Sequence, residues 1–144
     1  MRRGRYLILL LFIAMPLFAQ DDSYSLVGMK LADLIERFGA PTAVLAARGN
    51  ELWQDDVVFR YAEGDFYIHR DRVWQVKLAS VRGISLGDPR AAAALVMGST
   101  AEDRGDHLLL PVTDADLSPW PLMLRVNFNS AGVVASIFIY RPDF

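Results

Sequence analysis

Two pairs of glycines at one spacing constrain this chain more than any other feature. Gly28 and Gly39 lie eleven residues apart, and Gly87 and Gly98 lie eleven apart as well. Between the first pair, Leu31, Leu34, Ile35 and Phe38 recur at i, i+3, i+4 and i+7, the apolar stripe of a short amphipathic helix. Gly39 closes that helix, because a left-handed backbone costs glycine little, and Pro41 prevents its resumption. Between the second pair, Ala91 to Ala94 form helix readily, and Asp88 is placed to serve as N-cap with Pro89 at the first helical position. At an offset of 59, Leu34 falls on Ala93, Ile35 on Ala94 and Phe38 on Met97. Each glycine pair therefore reads as two stop signals around a short helix that lies on a sheet.

Strand-like alternation follows each helix. Val57, Phe59 and Tyr61 alternate with Val58 and Arg60, and Glu63-Gly64-Asp65 is a compact turn. Phe66 and Ile68 then face away from Tyr67 and His69, and Asp71-Arg72 reverses the chain. In the next strand Trp74, Val76 and Leu78 oppose Gln75 and Lys77. The second helix is followed by a polar loop at 100–106 and by His107–Val112, where Pro111 signals an edge or an early end. A long insertion at 113–121 comes next, then 122–128 with Leu124, Val126 and Phe128 inward, a turn at 129–132, and 133–140. Val73, Val76 and Leu78 match Val134, Ile137 and Ile139 at an offset of 61. Residues 43–47 fit either a strand or a turn. The expectation is an α+β fold of two tandem repeats, 20–80 and 81–144, forming one compact domain. Each repeat is a short helix followed by a three-stranded antiparallel meander, with the helices packed on one face of the sheet.

Residues 1–19 read as a signal peptide. Arg2, Arg3 and Arg5 precede an almost unbroken apolar run from Tyr6 to Phe18, with polar Asp21-Asp22-Ser23 beyond. Thirteen residues fall short of the ~20 that span a bilayer, although an uncleaved anchor is the alternative. No cysteine is present to carry a lipid, a disulfide, a thiol nucleophile or an Fe–S cluster. The expected location is periplasmic or secreted, without a stable membrane anchor. Of the 15 basic and 17 acidic residues, three arginines leave with the leader, so the mature chain is acidic and lacks a basic run. That argues against a nucleic-acid partner.

The segment Gly28-Met29, the helix from Leu31 to Phe38, Gly39-Ala40-Pro41 and the following Trp53, Phe59, Tyr61 and Val76 resemble the β-lactamase-inhibitor-protein-like (BLIP-like) and SmpA/OmlA (BamE-like) superfamily. The match covers residues 25–79 well and 83–140 more loosely, where Thr100 replaces the proline and Asp88 the methionine. The resemblance implies an exported protein-interaction module in tandem-repeat form, and does not imply β-lactamase inhibition.

Catalytic chemistry has few candidates. His69 and His107 are the two imidazoles, both at strand positions that suit a solvated side chain, and no serine sits in a Gly-x-Ser-x-Gly setting. Asp55-Asp56 and Asp114-x-Asp116 lack further spaced oxygen donors for a cation. No enzyme activity, cofactor or metal is expected. Alternation instead places Val58, Arg60, Tyr67, His69, Gln75 and Lys77 on one open face. Leu109, Met123, Arg125, Asn127, Ser136, Phe138 and Tyr140 follow in the second half. Arginine and aromatic residues among neutral polar groups are the composition of a binding surface. The candidate protein-binding residues are Arg60, Tyr67, His69, Lys77, Arg125, Phe138 and Tyr140. The expected partner is another envelope or secreted protein. Alternatives are that Phe138 and Tyr140 pack beneath the 113–121 insertion, or that helices and sheet enclose an apolar cavity for a small ligand or lipid.

Overall fold

The computed structural model describes residues 22–48 and 56–143. Residues 1–21, Gly49, Asn50, Trp53 and Asp55 lie outside the described residues, and so do the expectations that rest on them, the signal peptide at 1–19 among them.

A 3₁₀ helix, Asp22–Leu26, precedes helix α1 (Leu31–Phe38). The apolar stripe of α1 buries Leu34 completely and Leu31 and Phe38 in part. Gly39 ends it at φ 77° and donates its N–H to the Ile35 carbonyl at 2.8 Å. Helix α2 (Arg90–Met97) buries Ala93 and Met97, and Gly98 closes it at φ 78° with a 3.0 Å bond to Ala94. Its start differs from the expected one. Pro89, with extended backbone, holds the N-cap position without a side-chain cap. The Asp88 carboxylate instead accepts the Ser85 N–H at 2.7 Å, so the turn before the helix has captured the expected cap.

Strands β1 (Ala43–Ala47), β2 (Asp56–Arg60), β3 (Gly64–His69) and β4 (Arg72–Leu78) follow α1. A small hairpin of β5 (Ser80–Val81) and β6 (Ile84–Ser85) leads into α2. Then come β7 (Glu102–Asp103), β8 (His107–Val112), β9 (Leu122–Phe128) and β10 (Val134–Tyr140). Among the described residues these form one eight-stranded antiparallel sheet in the order β1-β2-β3-β4-β10-β9-β8-β7, apart from the small hairpin. This overturns the expectation of two tandem helix-plus-three-strand repeats. Four strands rather than three follow each helix, and β4 bonds to β10 to close everything into a single sheet. The Ala43–Ala47 segment has no polar residue to reveal its alternation, and Glu102–Asp103 has no apolar one. The β4–β10 pairing joins residues about sixty positions apart, beyond the reach of any local pattern.

Register explains where the core sits. Phe59, Phe66, Val76, Ile139, Leu124 and Leu110 stand in one row across six strands. Leu78, Ile137, Val126 and Leu108 form the row beside it. Leu34, Ala93 and Met97 belong to the same core cluster as these rows, so both helices cover one face of the sheet. Complete burial of a side chain such as Leu124 or Ile137 contributes about 1.5–3 kcal/mol.

Two irregularities redirect side chains. The β3–β4 register shifts between Tyr67 and Ile68, leaving Trp74 as the extra residue of a bulge. Val73 and Val76 are both in the core, so Trp74 and Gln75 face the other way, and Trp74 is not on the apolar face that alternation gave it. The β9–β10 register shifts likewise around Ala135. The 113–121 insertion folds toward the core: Leu117 packs against it, Ser118 is buried, and the Trp120 ring lies against Gly28.

Candidate protein-binding face

The face without helices is organised as two cross-strand rows over the middle of the sheet. One row runs Leu45, Val58, Tyr67, Gln75, Tyr140, Met123 and Pro111. The other runs Arg60, Asp65, Lys77, Phe138, Arg125 and Leu109. Six of the seven candidate residues therefore lie in two adjacent rows: Tyr67 and Tyr140 in the first, Arg60, Lys77, Arg125 and Phe138 in the second. His69 lies at the far end of β3, paired with Arg72, beyond Tyr67 and away from the second row. It borders the group rather than joining its centre.

Tyr67 is the hub. Its ring meets Trp74 at 6.4 Å and Phe138 at 6.4 Å, both edge-on, an arrangement favoured by the ring quadrupoles. Burial, then the nearby Asp65 and Asp56 carboxylates, push the Tyr67 hydroxyl above the usual phenol range. It is therefore a neutral group able to donate and accept at neutral pH. Trp74 belongs to this cluster and alternation missed it. The bulge shows in the sequence as the three-residue step from Val73 to Val76, which Trp74, itself apolar, disguises as plain alternation with Val76 and Leu78.

Charge surrounds the aromatic centre unevenly. Arg60 grips Asp65 with two bonds, Nε to Oδ1 at 2.7 Å and Nη2 to Oδ2 at 3.1 Å. That guanidinium holds the Asp65 carboxyl below the usual carboxylate range. Lys77 stands opposite both Asp65 and Phe138, and Arg125 stands on the other side of Phe138. Arg125 donates Nε–H to Asn127 at 2.7 Å, and Asn127 donates to Ser136 at 2.8 Å, so a polar chain fixes the guanidinium beside the ring. Phe138 is thus flanked by two cations on neighbouring strands, a setting that suits a carboxylate next to an apolar group on a partner.

The rest of the molecule offers less chemistry. Among the described residues no three His, Asp or Glu side chains converge as metal ligands. His107 bonds Asp106 through Nδ1 at 2.5 Å, which holds the Asp106 carboxyl low at the start of β8. The Asp114 carboxylate accepts the Asp116 N–H at 2.9 Å and so organises its own turn. An open groove of about 430 Å³ runs beside the end of α1, with Leu26, Phe38 and Leu78 inside and the Arg37–Asp22 ion pair on its rim. Among the described residues no helix is long and apolar enough to cross a membrane.

No family model matches the sequence, and no curated protein does. Among solved structures, the fold is similar to an extracellular protein containing a SCP domain from Bacillus anthracis str. Ames. The TM-score is 0.52 at 11% identity, over 87% of this chain and 47% of that one. It is also similar to a cysteine-rich secretory protein from Staphylococcus aureus subsp. aureus Mu50, with TM-score 0.48 and 15% identity, over 83% of this chain and 46% of that one. The chain spans about half the length of each. At 11% identity the first likeness carries the fold alone.

Proposed function

We propose that this chain is an exported, non-catalytic module that binds another envelope or secreted protein on the open face of its sheet. The observation that carries the reading is the Tyr67–Trp74–Phe138 cluster, set on the helix-free face between Arg60 and Lys77 on one side and Arg125 on the other. Rigid aromatic rings with adjacent arginines concentrate binding energy, because they bury much area at little cost in side-chain entropy. The leader at 1–19 supports export. The extracellular setting of the Bacillus anthracis protein with this fold is in keeping with it. So is the resemblance of Gly28–Pro41 to the BLIP-like and SmpA/OmlA superfamily.

The test begins with a partner identified by crosslinking in the envelope or medium of the source cell and then purified. Replacing Arg60, Tyr67, Arg125 and Tyr140 with Ala together should weaken its capture by about 100-fold or more, as expected when two or more anchors are lost. Leu95→Ala, at an exposed site on α2, should leave it unchanged. Undiminished capture by the fourfold variant would remove the sheet face from the proposal.

A further inference from the structure

The two edges of the sheet are built in opposite ways, and the difference points to an assembly distinct from the face described above. At one edge β7 has only two residues, both acidic, with Glu102 paired to Arg104 at 2.8 Å and Asp103 held by Arg90. Past the end of β7, β8 carries Pro111, which has no N–H to offer. Short length, charge and proline are the devices that stop a sheet edge from pairing with another chain.

Strand β1 has none of them. Ala43-Val44-Leu45-Ala46-Ala47 is five residues long, with no charge and no proline, and among the described residues it pairs with β2 alone. Val44 is 58% exposed and Leu45 39% exposed, beside Val57 on β2 at 46%. An edge of this kind presents backbone donors and acceptors along an apolar ribbon, which an added strand would satisfy.

We infer that β1 is a self-association edge, where a second copy of this chain adds its own β1 antiparallel about a two-fold axis through Leu45. The occupant follows from the sequence of the strand. Such an axis sets Leu45 against Leu45, Val44 against Ala46 and Ala43 against Ala47. No like charges meet, and the larger Val44 faces a smaller residue. An antiparallel two-fold keeps the helix-bearing faces of both copies on one side, so the sheet continues from eight strands into the second eight. The exposed Val44 and Val57 side chains then lie beside the junction. Because β7 is blocked, a β1–β7 contact, which would propagate into a fibre, is disfavoured, and the isologous contact closes at two copies.

The test is the oligomeric state of the purified protein, measured by sedimentation across concentration. The wild type should show a reversible monomer–dimer equilibrium. Leu45→Lys and Leu45→Glu each place like charges opposite one another at the axis, and each should weaken the dimer by about tenfold or more. An equimolar mixture of the two should recover it as a heterodimer, which a merely unfolded variant cannot do. If either Leu45 variant loses its fold, Val44→Lys serves instead and should also weaken the dimer, while Glu102→Lys at the other edge should not. A wild type that stays monomeric up to about 100 μM overturns the inference, since it leaves less than ~5.5 kcal/mol for the contact. So does a dimer that survives both Leu45 changes, or a mixture of folded Leu45 variants that does not recover it. Loss of the face-binding residues should leave this equilibrium intact, so the two proposals fail separately.

Discussion

Helices α1 and α2 meet the sheet through the same backbone contacts and hold it with different side chains. Gly28 N–H bonds the Val73 carbonyl at 2.7 Å, and Gly87 N–H bonds the Val134 carbonyl at 2.9 Å. Val73 returns a bond to Met29 and Val134 one to Asp88, at 2.9 and 2.8 Å. Beyond that scaffold the two diverge. Under α1 the contact is aromatic: Phe38, Tyr61 and Phe66 stack pairwise at 5.5–5.6 Å, and the Tyr61 hydroxyl donates to the Gly39 carbonyl at 3.1 Å. Under α2 the contact is small and aliphatic, with Ala93 and Met97 buried, and the helix is tied at its start. There Arg90 lies 4.6 Å over the Phe128 ring and reaches the Gly105 carbonyl at 2.8 Å. The lesson is that one pattern of backbone docking can be held in place by two different kinds of side-chain packing.

That contrast makes the largest expected effect a core deletion at the bulky site. Leu34 is fully buried, so Leu34→Ala should cost about 2–5 kcal/mol, read from urea unfolding. The opposite change under α2, Ala93→Leu, adds volume at a small side chain that is only 1% exposed, and should cost about 1–3 kcal/mol. Combining the two should not restore stability, because they sit under different helices. Recovery in the double variant would show the two contacts to be one shared space.

The glycines before the helices come next. Both have positive φ, +93° at Gly28 and +88° at Gly87. A Cβ at Gly87 would meet nothing within 4 Å, whereas one at Gly28 would lie 2.4 Å from the Trp120 Nε1. Gly87→Ala should therefore cost about 1–2 kcal/mol from the backbone alone. Gly28→Ala adds overpacking to that, roughly 2–4 kcal/mol in all. Trp120→Ala should remove the difference between the two, at the expense of the stack that places the Arg141 guanidinium 4.2 Å over that ring. Equal costs for the two glycines would break the distinction.

Acid should separate the halves in the same sense. Asp65 in the first half is largely covered, and the hydrogen bond from Arg60 holds its carboxyl below the ordinary range. The folded state thus binds that proton less readily than the unfolded chain does. The stability it contributes is complete above the unfolded value of about 3.9 and fades as pH falls through the folded one. Asp103 in the second half is also lowered, by Arg90, but it is solvated and its pairing is screened. Melting temperatures at neutral pH and near pH 3 should draw together more in Asp65→Asn than in Asp103→Asn. Equal behaviour would mean that shelter does not matter here.

How much of this was legible in sequence depends on how local each signal was. The helix from Leu31 to Phe38, its stop at Gly39 and the alternation in β3, in β9 and over residues 136–140 of β10 were readable, because each is written within ten residues. The membership of Arg60, Tyr67, Lys77, Arg125, Phe138 and Tyr140 in one face followed from the same alternation. Their grouping into two rows did not, since it requires the β4–β10 pairing between distant segments. Trp74 was misplaced because a bulge breaks the period of two without changing composition. Asp88 was misassigned because Ser85 competes for its carboxylate three residues earlier. The strand at Ala43–Ala47 was ambiguous for the reason that makes its edge unusual: nothing polar interrupts it.

The smallest expected effect compares the hairpin turns of the two halves, and it has the opposite sign. The β3–β4 reversal places Arg70 at φ 46° and Asp71 at φ 67°, left-handed backbone without a glycine. The β9–β10 reversal spends Gly132, at φ 72°, on the same requirement, and Asn129 Oδ1 accepts the Ala131 and Val133 N–H groups. A two-residue hairpin loop with both residues at positive φ favours Asn-Gly. Replacing Arg70 with Asn and Asp71 with Gly together should relieve the left-handed strain, partly offset by the freedom Gly gives the unfolded chain. The net gain should be at most about 1 kcal/mol. Gly132→Ala should lose a similar amount, with no clash to confuse it, since nothing lies within 4 Å of a Cβ there. A loss of stability in the Asn-Gly variant would mean that Arg70 or Asp71 contributes through its side chain. The backbone bond from the Leu31 N–H to the Asp71 carbonyl at 3.0 Å, which ties this turn to the start of α1, is kept by both substitutions and so does not confuse the comparison.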